Sequence, residues 1–268
     1  MRRSLLSFVA CALLAPYSHA RRQPGQATGQ TAPQPQRDPQ AVAIVQQAVK
    51  VMGGTAPTDS TAMGTVNLVA GSQSETGTIT ILTKGSAETS EQINLPSGQR
   101  VVVYSNGLAS EITPTSSGQV IMELALADQC ADFPLPLLLA ALGNSDESFQ
   151  YIGQESLNGA GVQHVRMSNS FASRPRLARL TLFSAVDVWF DPGSGLLVKL
   201  ANMRRPGGGS VPGAPVELRY SNYANFGGVL YPMQIQKSYN GTPWQTISIQ
   251  SVVLDSGLTD APFQVQAQ

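Results

Sequence analysis

The sequence predicts an α+β fold: a curved, mostly antiparallel β-sheet that forms a half-open barrel, with helices covering its concave face. Three observations support this. Apolar and polar residues alternate along most of the chain, turn dipeptides separate the alternating stretches, and one apolar helical segment interrupts them. Alternation with a period of two is typical of strands with one buried and one solvent-facing side. We count about ten or eleven strands, and an open sheet of that size curls.

The clearest alternation lies in the C-terminal third of the chain, where five strands follow one another. Asp191-Pro192-Gly193-Ser194-Gly195 supplies the turn of the first pair. Asn240-Gly241 supplies that of the last pair, and this dipeptide is the strongest short-range signal for a hairpin. One face of these strands is apolar, so another part of the chain must cover it. The predicted strands are Ala185–Asp191, Leu196–Met203, Val216–Tyr223, Val229–Tyr239 and Trp244–Leu254.

Shorter alternating stretches predict further strands in the rest of the chain. Asn106-Gly107 and Asn158-Gly159 are hairpin signals of the same kind, and Pro114–Gly118 is predicted to be a loop. These strands are Thr61–Val69, Glu75–Thr83, Ala87–Leu95, Gln99–Ser105, Leu108–Thr113, Phe149–Ser156 and Val162–Ser168.

The N-terminus, Met1–Ala20, reads as a signal peptide. Two arginines precede the apolar run Leu5–Leu14, and Ser18-His19-Ala20 ends in small residues suited to cleavage. The run is too short to span a bilayer. Lipidation of Cys11 is the alternative, but the residue three positions before it is not the expected leucine. We therefore expect an exported protein, periplasmic or extracellular after cleavage near Ala20.

A linker and a helix follow the signal peptide. Residues 21–37 are rich in Gln and Pro and almost free of apolar side chains, which predicts a disordered linker. Asp38 is a good N-cap, Pro39 suits the first helical position, and Gly53-Gly54 ends the periodic stretch. Residues 38–268 are expected to form a single domain.

Composition argues against several function classes. Acidic and basic residues balance at 17 each, so charge gives no reason to expect nucleic acid. Cys130 and His164, the cysteine and histidine left after cleavage, are far apart in sequence, and we predict neither a metal nor a cofactor. His164 is expected to be a surface or hydrogen-bonded strand residue. No carboxylate pair or Ser/His/Asp grouping stands out, so we expect no enzyme and no catalytic residues.

An apolar segment, Pro134–Leu142, sits in the middle of the otherwise β chain. Pro136 suits the start of a helix, and Leu137–Leu142 is apolar on nearly all sides, so this helix must be buried. The most economical position is over the apolar face of the sheet. Two interpretations remain open: a core helix that fills its space, or a helix that lines or gates a cavity.

Arg174, Arg176 and Arg179 form a basic cluster in the irregular stretch Ser170–Arg179. A solvated loop is one interpretation. The others are a site for a lipid headgroup or for an acidic partner.

The order of these elements resembles the periplasmic lipoprotein-carrier family, the LolA/LolB-like group that includes outer-membrane lipoprotein-sorting proteins. Asp38–Gly54 is similar to the family's opening helix. Val188-Trp189-Phe190-Asp191-Pro192-Gly193-Ser194-Gly195-Leu196-Leu197 resembles its Asp-Pro hairpin. Tyr220-Ser221-Asn222-Tyr223, continued by Gly227–Ile235, resembles its tyrosine-bearing strand and Gly-Val turn. The family holds its closed form with an arginine, and no residue of this chain is matched to it.

The resemblance implies a non-enzymatic carrier or binding protein that holds a lipid, lipoprotein acyl chains or another apolar ligand between the sheet and a helical lid. The alternative is a regulatory or scaffold domain on the same fold, with a filled cavity, that binds a protein partner in the envelope. The inward strand faces and the apolar helix would line the cavity. The expected lining residues are Val186, Val188, Phe190, Leu218, Tyr231, Met233, Ile235, Ile247, Ile249, Leu137, Leu138 and Ala141.

Overall fold

The computed structural model describes residues 34–122, 131–204 and 213–265. Its N-terminal strands are β1 Asp59–Ala70, β2 Gln73–Lys84, β3 Glu88–Leu95, β4 Gly98–Ser105, β5 Leu108–Thr113 and β6 Ser116–Met122. The later strands are β7 Glu147–Leu157, β8 Ala160–Asn169, β9 Val186–Phe190, β10 Leu197–Arg204, β11 Ala214–Phe226, β12 Val229–Tyr239 and β13 Thr242–Leu254. The helices are α1 Pro39–Val51 and α2 Pro134–Gly143, with 3₁₀ helices at Pro175–Phe183 and Ala261–Phe263.

The thirteen strands of the described ranges belong to one antiparallel sheet, in the order β6-β5-β4-β3-β2-β1-β13-β12-β11-β10-β9-β8-β7. Strands β1 to β6 run outward to one edge, and the segment containing α2 crosses to the other edge. Strands β7 to β13 then return to the centre, where β13 pairs with β1 and Ser60 lies opposite Leu254. The described residues show no pairing between the edges β6 and β7. The sheet is therefore an unclosed, curved half-barrel, and the predicted fold class is confirmed.

Helix α1 begins where the sequence predicts. Oδ1 of the N-cap Asp38 accepts a hydrogen bond of 2.8 Å from the backbone N–H of Gln40. Pro39 occupies the first turn, where its missing N–H has no intrahelical partner to lose. At the other end, Gly54 has a φ of 75°, and its N–H donates to the carbonyl of Val49 at 2.9 Å. The side of α1 that packs on the concave face is Ala41, Val45, Ala48 and Val49.

The described sheet has thirteen strands, against an expected count of about ten or eleven. Twelve of them match the separate stretches named above, and β6 is the addition, because the predicted loop Pro114–Gly118 enters a strand at Ser116 that pairs with β5. Its polar, glycine-containing start gives a weak strand signal, and pairing decides the conformation. The stretch Ser170–Arg179, expected to be irregular, enters a 3₁₀ helix at Pro175.

Helix α2 also begins earlier than predicted, at Pro134 rather than Pro136. A proline in the first helical turn removes no intrahelical hydrogen bond, so the first turn accommodates both prolines.

The predicted linker is too long at its C-terminal end. The carbonyl of Gln36 accepts a hydrogen bond of 2.7 Å from the N–H of Phe149, and the N–H of Gln36 donates to Oγ of Ser148 at 3.1 Å. Residues 34–37 therefore lie against β7 as part of the folded body. The predicted signal peptide Met1–Ala20 with Cys11, residues 21–33 of the predicted linker, and Cys130 lie outside the described residues.

None of the helices in the described ranges is long and apolar enough to cross a membrane. Both α-helices instead pack on the concave face of the half-barrel, where they and the sheet share one apolar core. This arrangement places α2 directly over the predicted site.

Candidate functional site

The structure brings the predicted cavity-lining residues together on the concave side of the half-barrel. Eleven of the twelve are buried and Met233 is half-buried, and all belong to or pack against one apolar cluster between the sheet, α1 and α2. Their side chains pack closely; Tyr231, for example, stacks on Phe133 with ring centroids 4.7 Å apart. The concave face is thus filled by the protein's own side chains in this conformation. The role of these residues as a binding site stays a prediction.

Helix α2 covers this apolar face and has no polar side chain from Pro134 to Gly143. Within the part of the chain that the structure describes, no side chain caps its N-terminus. The buried side consists of Leu135, Leu137, Leu138 and Ala141, and the half-exposed side of Leu139, Ala140 and Leu142. The side chains of α2 therefore hold the helix on the sheet through apolar contacts alone. The polar contacts that fix α2 lie at its two ends.

Arg37 holds the C-terminal end of α2. Its guanidinium donates to the carbonyl of Leu142 at 3.0 Å, to that of Asn144 at 3.1 Å and to that of Glu147 at 3.5 Å. It also lies over the ring of Phe149, 4.8 Å from the ring centroid. The last carbonyls of a helix lack intrahelical partners and carry partial negative charge, so a cation at this position stabilises the end.

A buried carboxyl lies beside this contact. Burial raises the pKa of Glu147 to about 8; Arg37 opposes the shift and Asp146 adds to it. Oε2 of Glu147 has no hydrogen-bond partner among the described residues. A neutral carboxyl is much less costly to bury than a carboxylate, so the protonated form belongs to this conformation near neutral pH.

The segment leading into α2 is held by a buried ionic cluster that consists of Lys237, Glu91, Asp132 and Gln245. Nζ of Lys237 lies 2.7 Å from Oε1 of Glu91 and 2.8 Å from Oδ1 of Asp132. Nε2 of Gln245 donates to Oε2 of Glu91 at 3.3 Å. The three charged side chains are less than a tenth exposed. Buried charges persist only when partners compensate their lost hydration, so the cluster depends on all its members.

The cluster combines two carboxyls with one ammonium, and its protonation is set inside the protein. Burial raises the pKa of Asp132 to about 7; Lys237 opposes this shift and Glu91 adds to it. Burial alone would lower the pKa of Lys237, but Asp132 and Glu91 outweigh burial and raise it. The pKa of Glu91 is lowered, because Lys237 outweighs the effect of burial. Asp132 is therefore the member that gains or loses a proton near neutral pH.

Two further contacts fix the residues on either side of Asp132. The hydroxyl of Tyr220 donates to the carbonyl of Ala131 at 2.7 Å. Phe133, the next residue along, stacks on Tyr231. Burial raises the pKa of Tyr220 well above its ordinary value, so its hydroxyl stays a donor.

A small pocket of about 70 Å³ opens beside the ionic cluster, bordered in part by Leu218. The side chains that give it chemical character include the three charged members of the cluster, together with Arg100, Tyr104 and Trp244. Arg100 pairs with Glu111 and lies 6.0 Å from the ring centroid of Trp244. The concave side thus has an apolar region under α2 and a charged, aromatic region at one end.

The outer face of the sheet carries a separate polar network around His164. Its Nδ1 lies 2.7 Å from Glu155 and its Nε2 lies 2.7 Å from Asp187, while its ring stacks on Trp189 with centroids 4.3 Å apart. His164 is the hydrogen-bonded strand residue that the sequence predicts, although it is only 6% exposed. A hollow of about 430 Å³ lies nearby on the same face and is bordered mainly by amide, hydroxyl and small apolar side chains.

Sequence reasoning missed Arg37, Glu91, Asp132 and Lys237. For Lys237 a signal existed, because it continues the inward alternation of Tyr231, Met233 and Ile235. A lysine in phase with a buried face predicts a buried partner of opposite charge. No comparable signal marks Arg37, whose acceptors are backbone carbonyls more than a hundred positions away.

Comparison of the chain with known protein families and with curated proteins finds no match. Solved structures, by contrast, match in fold over most of the chain. A LolA superfamily protein from Nitrosomonas europaea is 15% identical with a TM-score of 0.52, and the match covers 84% of this chain and 97% of that chain.

Two other solved structures agree. An outer membrane lipoprotein-sorting protein domain from Vibrio parahaemolyticus is 12% identical with a TM-score of 0.53, over 84% of this chain and 96% of that chain. A DUF1329 family protein from Desulfovibrio piger is 14% identical with a TM-score of 0.53, over 84% of this chain and 99% of that chain. At these identities the similarity concerns the fold.

Proposed function

Since the chain has a LolA-like fold, we propose that it is an exported, non-enzymatic protein that holds an apolar ligand between the curved sheet and α2. The ligand class is a lipid or the acyl chains of a lipoprotein. The protein acts in the periplasm or outside the cell, after cleavage near Ala20.

One observation carries this proposal: α2 is apolar on every side, covers an apolar concave face, and has polar attachments only at its ends among the described residues. A helix fixed by apolar contact can be replaced by another apolar body of similar size, because the hydrophobic effect has no directional requirement. Arg37 and the Lys237 cluster then act as two latches of a lid.

The free energies of burial are compatible with an exchange of α2 for a bound acyl chain. Fully burying a leucine stabilises by about 1.5–3 kcal/mol, so Leu135, Leu137 and Leu138 together contribute roughly 5–9 kcal/mol to the closed position. An acyl chain contributes about 0.8 kcal/mol per buried CH₂, or about 8 kcal/mol for ten CH₂ groups. Binding of an acyl chain can therefore offset the free energy lost when α2 is displaced. The closed state and the ligand-bound state are then similar in free energy.

A second candidate function is favoured by the filled concave face. If the apolar cluster never opens, the protein is a scaffold or regulatory domain that binds a protein partner through its surface. This candidate requires α2 to remain a permanent part of the core.

The test is saturable binding of a fluorescent fatty-acid probe to the delipidated protein, combined with amide hydrogen exchange. We expect one probe per chain, displacement by unlabelled fatty acid, and faster exchange in α2 when the probe is bound. The amides of β2, which are held by strand pairing with β1 and β3 on both sides, serve as the internal control and should not change. Absence of saturable binding would overturn the carrier proposal in favour of the scaffold. Saturable binding without any change in α2 would exclude the lid.

A further inference from the structure

The connection between β8 and β9 forms a basic surface segment, Phe171–Phe183. It contains Arg174, Arg176 and Arg179, and no acidic residue occurs between Ser170 and Val186. Arg174 and Arg176 are exposed, and neither forms an ion pair with any residue that the structure describes. The segment therefore presents uncompensated positive charge to its surroundings.

The same segment carries the most exposed of the large apolar side chains that the structure describes. Leu182 is 85% exposed, whereas the next, Met203, is 54% exposed. Leu177 and Leu180 are half-exposed on the same 3₁₀ helix. A leucine held almost wholly in water is unfavourable unless another surface covers it.

Hydrogen bonds hold this segment in place. The N–H of Ser173 donates to Oδ1 of Asp146 at 3.0 Å, and the N–H of Leu177 donates to the carbonyl of Arg174 at 2.8 Å. Oγ of Ser184 donates to the carbonyl of Thr181 at 2.8 Å. The exposure of Leu182 thus belongs to a segment with defined internal contacts.

We propose that Phe171–Phe183 docks the protein on an anionic lipid bilayer, with Leu182 inserted among the headgroups and the exposed Arg174 and Arg176 bound to lipid phosphates. A segment that carries arginines, has no acidic residue of its own and forms no described ion pair matches an anionic surface, and guanidinium groups bind phosphate oxygens strongly. A projecting leucine on the same short segment as exposed arginines suits the headgroup region, where apolar and charged groups are accommodated at neighbouring depths. A protein partner would need a contiguous apolar patch at the centre of a much larger contact.

This docking is expected to be weak, because only a few side chains contribute to it. Each arginine near an anionic membrane strengthens binding by about fivefold, and a leucine that reaches only the headgroup region contributes less than its full burial would. Association of that strength is reversible, as a protein that moves between a membrane and solution requires.

The docking segment also lies next to the C-terminal end of α2. Asp146, which accepts from Ser173, donates its own N–H to Oδ1 of Asn144 at 3.0 Å, and the carbonyl of Asn144 is bound by Arg37. Docking would therefore bring the bilayer close to one end of α2. The docking proposal does not depend on ligand binding, since it rests on the surface alone.

The experiment is flotation of the full mature chain with vesicles of phosphatidylcholine, with and without phosphatidylglycerol. We expect binding only to the mixed vesicles, and weaker binding as salt is raised. The triple substitution Arg174→Gln, Arg176→Gln, Arg179→Gln should weaken binding by about 100-fold. Leu182→Ser should weaken it by several-fold at unchanged charge. Matched controls are Lys50→Gln, an exposed cation on α1, and Val253→Ser, an exposed apolar residue on β13.

Equal binding to both vesicle types, undiminished binding by the triple variant, or no binding to either vesicle would each overturn the proposal. Absence of vesicle binding would leave an acidic protein as the partner of this segment. Thermal melts of each variant confirm folding. Fatty-acid probe binding, measured without vesicles, should be unchanged in all variants, so failure of docking and failure of the carrier proposal are separate results.

Discussion

Lys237 and Glu91 meet inside the half-barrel at 2.7 Å, although 146 residues separate them in the chain. Lys237 lies on β12 and Glu91 on β3, so the contact bridges the two halves of the curved sheet. Asp132 joins them from the segment that leads into α2. The ionic cluster therefore connects both halves of the sheet to the helical cover.

Replacing Lys237 by methionine should destabilise the protein strongly. The side chain keeps its length, but Glu91 loses its buried counter-charge, and breaking a buried ion pair typically costs about 3–5 kcal/mol. Denaturant unfolding measures the effect. Lys84→Met is the control, because Lys84 pairs with the largely exposed Asp260 and its loss should barely move the midpoint. A similar midpoint for both variants would contradict the importance of the buried cluster.

Stability should fall as pH rises through neutrality. The pKa values of Asp132 (about 7) and Glu147 (about 8) are raised in the folded protein, so the native state retains protons that the unfolded chain has released. Their contribution is fully present below the ordinary carboxyl pKa of about 4 and is lost as pH rises through these values. Each group adds a slope of up to about 1.4 kcal/mol per pH unit.

The measurement is the unfolding free energy as a function of pH. Glu147→Gln keeps the size of the side chain and removes its ionisation, so the variant should show a flatter decline toward alkaline pH. Asp260→Asn, a substitution at a solvent-exposed carboxylate, should retain the slope of the unaltered protein. Identical slopes for Glu147→Gln and the unaltered protein would show that Glu147 does not titrate as described.

Removing the Arg37 side chain should loosen the C-terminal end of α2 without unfolding the protein. Arg37→Gln loses charge-assisted hydrogen bonds to the carbonyls of Leu142 and Asn144, which is worth about 1–2 kcal/mol at an exposed position. Amide hydrogen exchange in the last turn of α2 should accelerate, while exchange in β12 stays the same. Lys50→Gln, on the exposed side of α1, should change neither.

The turn between β9 and β10 offers a backbone test. Gly195 has a φ of 74°, so Gly195→Val should cost about 1–3 kcal/mol through backbone strain. Gly193 does not have a positive φ, and an added Cβ there would meet only ordinary contacts at 3.5 Å from Asp191. Gly193→Val should therefore be much milder. Equal losses in thermal melts of the two variants would mean that the turn conformation is not the cause.

The parts of the fold that the sequence predicts are those that depend on patterns among neighbouring residues. The strand Val229–Tyr239 and its Asn240-Gly241 turn are found as predicted, because alternation and turn chemistry are properties of neighbouring residues. Asn240 and Gly241 both have positive φ, as this type of hairpin requires. Strand β6 was missed since its first residues are polar and it depends on pairing with β5.

The candidate site was predictable only in part, for a related reason. The apolar lining follows from the phase of each strand, so Val188, Leu218 and Ile247 were correctly placed on the buried face. The two latches, Arg37 and the Lys237 cluster, depend on contacts between segments that are distant in the chain. Neither the two-residue period of strands nor the 3.6-residue period of helices predicts such contacts. Arg37 shows this most clearly, because its surroundings in sequence resemble a disordered linker while its partners lie at the end of α2.

The pairing of β1 with β13 at the centre of the sheet has a consequence for assembly. Most neighbouring strands are joined by hairpins or short connections, so each half of the sheet can form from local pairings. Among the strand pairings of the described residues, the central seam alone joins segments that are distant in the chain. Two copies that exchanged whole halves would keep all of those local pairings and would re-form the same seam between chains. Domain-swapped dimers are therefore the expected by-product of refolding at high protein concentration, with the α2 segment as the exchanged connection.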